Sequence, residues 1–179
     1  LIAVGVTLFA VGMLWFCCMS SFPTLLKEGV LCMPKKVPPV ASWAEGTESE
    51  TVEVKKLKVI VNPNAGVKKG DSNLARCKKV WEAKGIEVIV VNTEYAGHAR
   101  EIGRDEDLAG IDALVAIGGD GTLHETINGF LSRETPSDVP LGFIPGGSGN
   151  SIMAHFGTWD IEEAAMRIAN GETNRMDLN

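Results

Sequence analysis

The chain has 179 residues, 45% of them hydrophobic and 22% charged, and carries a formal net charge of −6. That length suits one domain of ordinary size with an appendage, and the acidic balance argues against a nucleic-acid partner, which needs a basic face. Four cysteines without C-x-x-C spacing, and the lack of any N-x-S/T acceptor, suit a reduced, cytosol-facing domain.

No charged residue precedes Lys27, and residues 1–22 are predicted to form a single transmembrane helix. Such a helix rises about 33 Å, against a hydrocarbon core of about 30 Å. Trp15 and Phe16, then Cys17 and Cys18, fall near one end, where aromatic belts and acylated cysteines occur. Lys27, Lys35 and Lys36 follow, and the positive-inside rule then places the rest of the chain in the cytosol. A cleaved signal peptide and a buried core helix are the alternative readings. Residues 23–56 read as a flexible linker: Pro34, Pro38 and Pro39 interrupt any helix, and Glu45, Glu48, Glu50 and Glu53 form a solvated acidic run.

From residue 57 the pattern becomes strand, turn, helix, repeated. Strands are predicted over 57–61, 86–91, 113–117 and 141–144, each rich in β-branched or apolar residues. A helix with Leu74, Cys77 and Trp81 on its inner face is capped by Asp71 or Ser72 and stopped by Gly85. Another carries Leu123, Ile127 and Phe130, beginning at Thr122 or Leu123. The last has Asp160 and Glu163 as a capping box, an apolar stripe at Ile161, Ala164, Ala165 and Ile168, and Gly171 as its stop. Near-continuous apolar strands alternating with amphipathic helices imply a three-layer α/β lobe around a parallel sheet. Ligands of such sheets bind where strand ends feed helix N-termini.

Three strands end in glycine-rich loops, and these are predicted to share one rim. In Gly118-Gly119-Asp120-Gly121-Thr122 the glycines admit positive φ and close approach of the backbone to an anion. The following helix adds its partial positive charge. A carboxylate in a phosphate loop needs a reason, so Asp120 is a candidate either for Mg²⁺ contact or for taking a proton from an attacking hydroxyl; helix capping is the plainer alternative. Asn62-Pro63-Asn64-Ala65-Gly66 offers amides to the same ligand, and Gly146-Gly147-Ser148-Gly149-Asn150 offers a hydroxyl and an amide. Neither the Walker pattern nor a Rossmann G-x-G-x-x-G after a strand is present.

Together these motifs resemble the diacylglycerol kinase catalytic-domain superfamily, which includes diacylglycerol, sphingosine and ceramide kinases. The resemblance rests on Asn62-Pro63-x-x-Gly66, Thr93 with Gly97-His98-Ala99, Gly118-Gly119-Asp120-Gly121-Thr122-x-His124-Glu125 with Asn128-Gly129, and Pro145-x-Gly147-Ser148-Gly149-Asn150. It implies an NAD kinase-like lobe over 57–179 and an ATP- and Mg-dependent lipid phosphotransferase. It also places Asn62, Pro63, Asn64, Thr93, Gly118, Gly119, Gly121, Thr122, Glu125, Gly147, Ser148 and Gly149 at nucleotide-contacting positions. Asp120 falls at the position of the proposed base in sphingosine-kinase-like members. The third loop leans toward the sphingoid/ceramide branch, but Tyr95-Ala96 stands where sphingosine kinases often carry an arginine pair. Members of the superfamily have a second, β-rich lobe beginning where this chain stops, so residues 57–179 alone are expected to be inactive. Expected partners are the membrane and its lipid substrate, with homodimerisation left open. The competing readings are a soluble NAD kinase-like enzyme and a membrane-tethered pseudokinase that binds nucleotide.

His98 is read as a loop-holding residue or a ligand contact, Glu125 as a metal or orienting group, and His124, His155 and Trp159 as packing residues. Asp177 is read as the lobe's terminator.

Overall fold

The computed structural model describes residues 50–68 and 70–176. The predicted membrane segment 1–22 and Asp177 lie outside them. Among the described residues no helix is long and apolar enough to cross a membrane.

Twelve elements follow in order. They are β1 Glu50–Thr51, β2 Lys56–Val61, α1 Ala65–Lys68, α2 Gly70–Ala83, β3 Glu87–Asn92, α3 His98–Asp105, β4 Ala113–Gly118, α4 Asp120–Leu131, β5 Leu141–Pro145, α5 Met153–Phe156, α6 Ile161–Ala169 and β6 Glu172–Thr173. The main sheet has the order β3-β2-β4-β5, and every pairing in it is parallel. All six residues of β4 are buried, as are the last five of β2. That is the burial of strands covered on both faces, and it explains why they read as continuous apolar runs.

Alternating strand positions feed two cores. Leu57, Val59, Val61, Val115 and Ile117 face α2 and α6, meeting Cys77, Trp81, Ala164 and Ala165. Ile60 and Leu114 face the other way, toward Ala99, Ile102, Leu108 and Ile111. The Trp81 indole N–H donates to the Ala165 carbonyl at 3.0 Å, tying α2 to α6 and satisfying the ring's polar atom. Removing a side chain of that size from a core costs about 3–5 kcal/mol. Burial pushes the Cys77 thiol up to about 12, so it behaves as a small apolar residue.

Several expectations are corrected. The linker predicted over 23–56 is already ordered at residue 50, because β1 pairs antiparallel with β6 and the Val52 N–H donates to the Gly171 carbonyl at 3.0 Å. Gly171 is required there, since a Cβ would meet the Val52 oxygen at 1.8 Å. Helix α2 begins at Gly70, which puts Asp71 in its first turn rather than at its cap. Helix α4 begins at Asp120, not at Thr122 or Leu123. Half of the capping box of α6 stands, with the Glu163 N–H donating to Asp160 Oδ1 at 2.8 Å; the Asp160 N–H donates instead to Thr158 Oγ1 at 3.3 Å, and Thr158 Oγ1 donates to Glu163 Oε2.

Candidate functional site

Chain order places the site. From β2 the chain passes to β3 on one side, then crosses back to β4 on the other. The loops leaving β2 and β4 therefore part to opposite faces, and the crevice between them is where open parallel sheets bind ligands.

The loops leaving β2, β4 and β5 meet backbone to backbone. The Gly146 N–H donates to the Gly118 carbonyl at 2.6 Å. A Cβ on Gly147 would stand 2.6 Å from the Gly119 Cα, and one on Gly66 would stand 2.4 Å from the Gly146 oxygen. Gly66 also has a φ of +51°. By contrast, none of the glycines at 118, 119, 121, 146, 147 and 149 has a positive φ. Their expected use as left-handed residues is thus corrected: four of them allow close approach of loop to loop, and Gly121 opens onto free space, with nothing within 4 Å of a Cβ.

Side chains complete the junction. Asn62 Nδ2 donates to Thr122 Oγ1 at 3.1 Å, joining the end of β2 to the first turn of α4. The Asn64 N–H donates to Asn62 Oδ1 at 3.0 Å. Asn150, the one non-glycine with a positive φ among the described residues, closes its own loop: its Oδ1 accepts from Gly147 N–H and its Nδ2 donates to the Gly147 carbonyl. Asparagine tolerates that conformation better than most residues.

Asp120 is exposed at the first position of α4. Its Oδ1 accepts from the Ser151 N–H at 2.7 Å and its Oδ2 from Ser151 Oγ at 3.3 Å. The carboxylate is therefore turned toward the loop leaving β5, and Ser151 is a contact that the sequence pattern did not single out.

These groups border a cleft of about 480 Å³. Its walls include Asn62, Asn64, Thr93, Gly119, Asp120, Gly121, Thr122, Glu125, Gly147, Ser148 and Gly149. Pro63 and Gly118 are not on its wall. Pro63 packs under Gly70, and Gly118 lies against the Thr122 side chain, where a Cβ would meet it at 2.5 Å. The structure adds Ala65, Gly66, Glu94, Tyr95, Ala96 and Ala99 to the lining. A lone aromatic or acidic residue just past a strand has no spacing signature, so nothing in the sequence marks Glu94 as lining a cleft, and Tyr95 stands out there only as a departure from an arginine pair.

The remaining candidates divide cleanly. Glu125 Oε1 accepts the Gly97 N–H at 3.1 Å, so it orients the neighbouring loop from the cleft wall. His98 Nδ1 accepts the Glu94 N–H at 3.0 Å and holds the same loop from behind. Exposed His124 is off the wall, and Trp159 is exposed at the surface.

Chemically the rim suits an anion. Free N–H groups in the first turn of α4 carry a partial positive charge of about half a unit. Among the described residues no group of three or more His, Cys, Asp or Glu side chains is placed to hold a metal ion. One carboxylate at Asp120, with the hydroxyls of Ser148 and Thr122 on the same wall, instead fits Mg²⁺ held mostly by phosphate oxygens and water.

Comparisons agree with this geometry. Residues 56–179 match the family described as Diacylglycerol kinase catalytic domain. Sphingosine kinase B of Dictyostelium discoideum is 35% identical over 127 residues, covering 69% of this chain and 17% of that protein. Sphingosine kinase 1 of Arabidopsis thaliana is 30% identical over 174 residues, covering 90% of this chain and 36% of its own. Mitochondrial acylglycerol kinase of Mus musculus is 34% identical over 136 residues, covering 70% of this chain and 32% of its own. The chain thus spans well under half the length of each of these relatives. A crystal structure of a diacylglycerol kinase from Bacillus anthracis str. Sterne aligns with a TM-score of 0.55 and 30% identity, covering 66% of this chain and 43% of that one. The chain belongs to the diacylglycerol kinase catalytic-domain family.

Proposed function

We propose that this chain is the nucleotide-binding lobe of an ATP- and Mg-dependent lipid kinase, which transfers the γ-phosphate to a primary hydroxyl of a sphingoid base, ceramide or diacylglycerol. The observation that carries the reading is the interlocked glycine rim, with a helix N-terminus and Asp120 at its first position, opening onto one cleft.

In this reading the N–H groups of Gly121 and Thr122 and those of Ser148 and Gly149 hold the triphosphate, while Asn62 and Thr122 keep the two loops in register. Asp120 accepts the proton of the lipid hydroxyl as its oxygen bonds to the γ-phosphorus and the bridging oxygen leaves with ADP. Mg²⁺, held by phosphate oxygens with Asp120 as its protein contact, would neutralise charge on the phosphates. Most of the rate enhancement then comes from holding hydroxyl and phosphorus in line.

The sphingosine kinases among the relatives support a sphingoid base, and the acylglycerol kinase keeps a glycerolipid in play. The apolar stretch 1–22 supports a single-pass membrane anchor with the catalytic lobe facing the cytosol.

The test is transfer of label from γ-labelled ATP by the full protein in lipid micelles, offered sphingosine, ceramide, diacylglycerol and NAD in turn. Label on a lipid phosphate is expected. Label on NAD alone, or ATP binding with no acceptor labelled, would overturn the proposal.

A further inference from the structure

The two walls of the cleft differ in chemistry. One carries the glycine loops and the N-terminus of α4, suited to phosphate, with Asp120 and Glu125 among its side chains. The other, residues 93–99, bears Glu94, Tyr95, Ala96 and Ala99 and has no cation.

Tyr95 is the only tyrosine in the chain and the only aromatic ring among the described residues that line the cleft. Its centroid lies 4.5 Å from that of the His98 imidazole, with an interplanar angle of 4°, so parallel stacking covers one face. His98 is not on the cleft wall, whereas Tyr95 is, and the tyrosine remains 53% exposed. One face of the ring is covered by His98, and the opposite face has no stacked partner among the described residues. The phenol hydroxyl donates to Glu101 Oε2, and His98 is in turn fixed by the Glu94 N–H. A ring pinned at its edge and backed on one face has little rotamer freedom left to lose when a second flat group stacks on it.

From these contacts we infer that Tyr95 is the nucleobase platform of the cleft: the purine of the nucleoside triphosphate stacks on the face opposite His98. Tyr95 is then a specificity-determining residue that favours purine over pyrimidine nucleotides, because the larger ring system covers more of its face. This inference rests on the cleft being a nucleotide site, and its test separates the two.

The full protein, with its Tyr95→Leu and Tyr95→Phe variants, is titrated calorimetrically with ATP, CTP and inorganic tripolyphosphate. Tyr95→Leu should weaken ATP binding by about tenfold or more, the scale of one base–aromatic stack. It should also abolish the preference for ATP over CTP and leave tripolyphosphate affinity unchanged. Tyr95→Phe keeps the stacking face and should stay within about twofold of the parent. An equal loss of ATP and tripolyphosphate affinity, or no loss of either, overturns the platform while the nucleotide reading stands. If the unaltered protein binds none of the three probes, the nucleotide reading falls and the platform with it. Should Tyr95→Leu lose its fold by circular dichroism, the parent protein with ring-labelled tyrosine decides the matter. A nuclear Overhauser contact between the adenine protons and the Tyr95 ring is expected, and its absence at saturating ATP overturns the inference.

Discussion

Gly129 of α4 lies against the carbonyl oxygen of Arg100 on α3, so closely that a Cβ at 129 would stand 2.0 Å from that oxygen. Gly103 on α3 is confined in the same way, with the Thr126 oxygen 2.7 Å from its Cβ position. Two helices approach to this distance only where their crossing is bare backbone. The crossing sets the Thr93–Ala99 wall of the cleft against the Asp120–Glu125 wall. Gly129→Ala should lower stability by about 1–3 kcal/mol, because the obstructing atom is backbone and cannot rotate away. Urea denaturation reads this directly, and an unchanged midpoint would show that the helices part freely.

Gly121 presents the opposite case. It lies in the first turn of α4, exposed, with open space where a Cβ would go. Alanine is the better helix former by up to about 1 kcal/mol, so Gly121→Ala should leave the melting temperature unchanged or slightly raised. The added methyl group, however, enters the cleft beside the phosphate wall. ATP affinity should fall by about tenfold, or about 1.4 kcal/mol. Equal ATP affinity in calorimetry would place the phosphates elsewhere.

Asp120→Asn tests chemistry without disturbing shape. The amide oxygen still accepts the Ser151 N–H that now bonds Oδ1, so the two loops stay joined. Turnover of the full enzyme should drop by about 10²-fold or more while ATP binding is largely spared. A variant with parental turnover would remove Asp120 from the mechanism.

The Arg76 guanidinium grips Glu162 through two hydrogen bonds across α2 and α6. The bond from Arg76 holds the Glu162 carboxyl below its usual value of 4.5. A carboxyl whose pKa is lower when folded adds stability above its unfolded pKa, and that stability is lost as pH falls through the folded value. Thermal stability should therefore decline as pH drops below about 4.5. Glu162→Gln should flatten this acid limb and have little effect on its slope near neutrality. An identical acid limb in the variant would assign the decline to other carboxyls.

Strands β2 and β4 were legible because parallel strands buried on both faces must be apolar at almost every position, and the less buried edge strands β3 and β5 were legible from their β-branched and apolar residues. Helix α3 left no comparable trace: Arg100, Glu101, Arg104 and Asp105 crowd two turns, and Gly103 sits among them for the sake of its crossing with α4. Strands β1 and β6 are two residues each, too short for any period, and their pairing joins residues far apart in the chain. At the site, the glycines marked the correct loops but suggested the wrong use, since a residue's need for positive φ and its need to admit a neighbour look identical in sequence. Ser151 became visible only when the loop leaving β5 was laid beside Asp120. Tyr95 became a lining residue only when the fold placed it on the cleft wall.

Because Gly66, Gly119, Gly146 and Gly147 each meet the main chain of a neighbouring loop, the phosphate side of the cleft is effectively a single casting. An enlarged side chain at any of these points displaces a neighbouring segment, so that side has almost no freedom to vary piecemeal. Diversification among chains built this way must be written into the opposite wall, where residues 93–99 still have side chains to exchange.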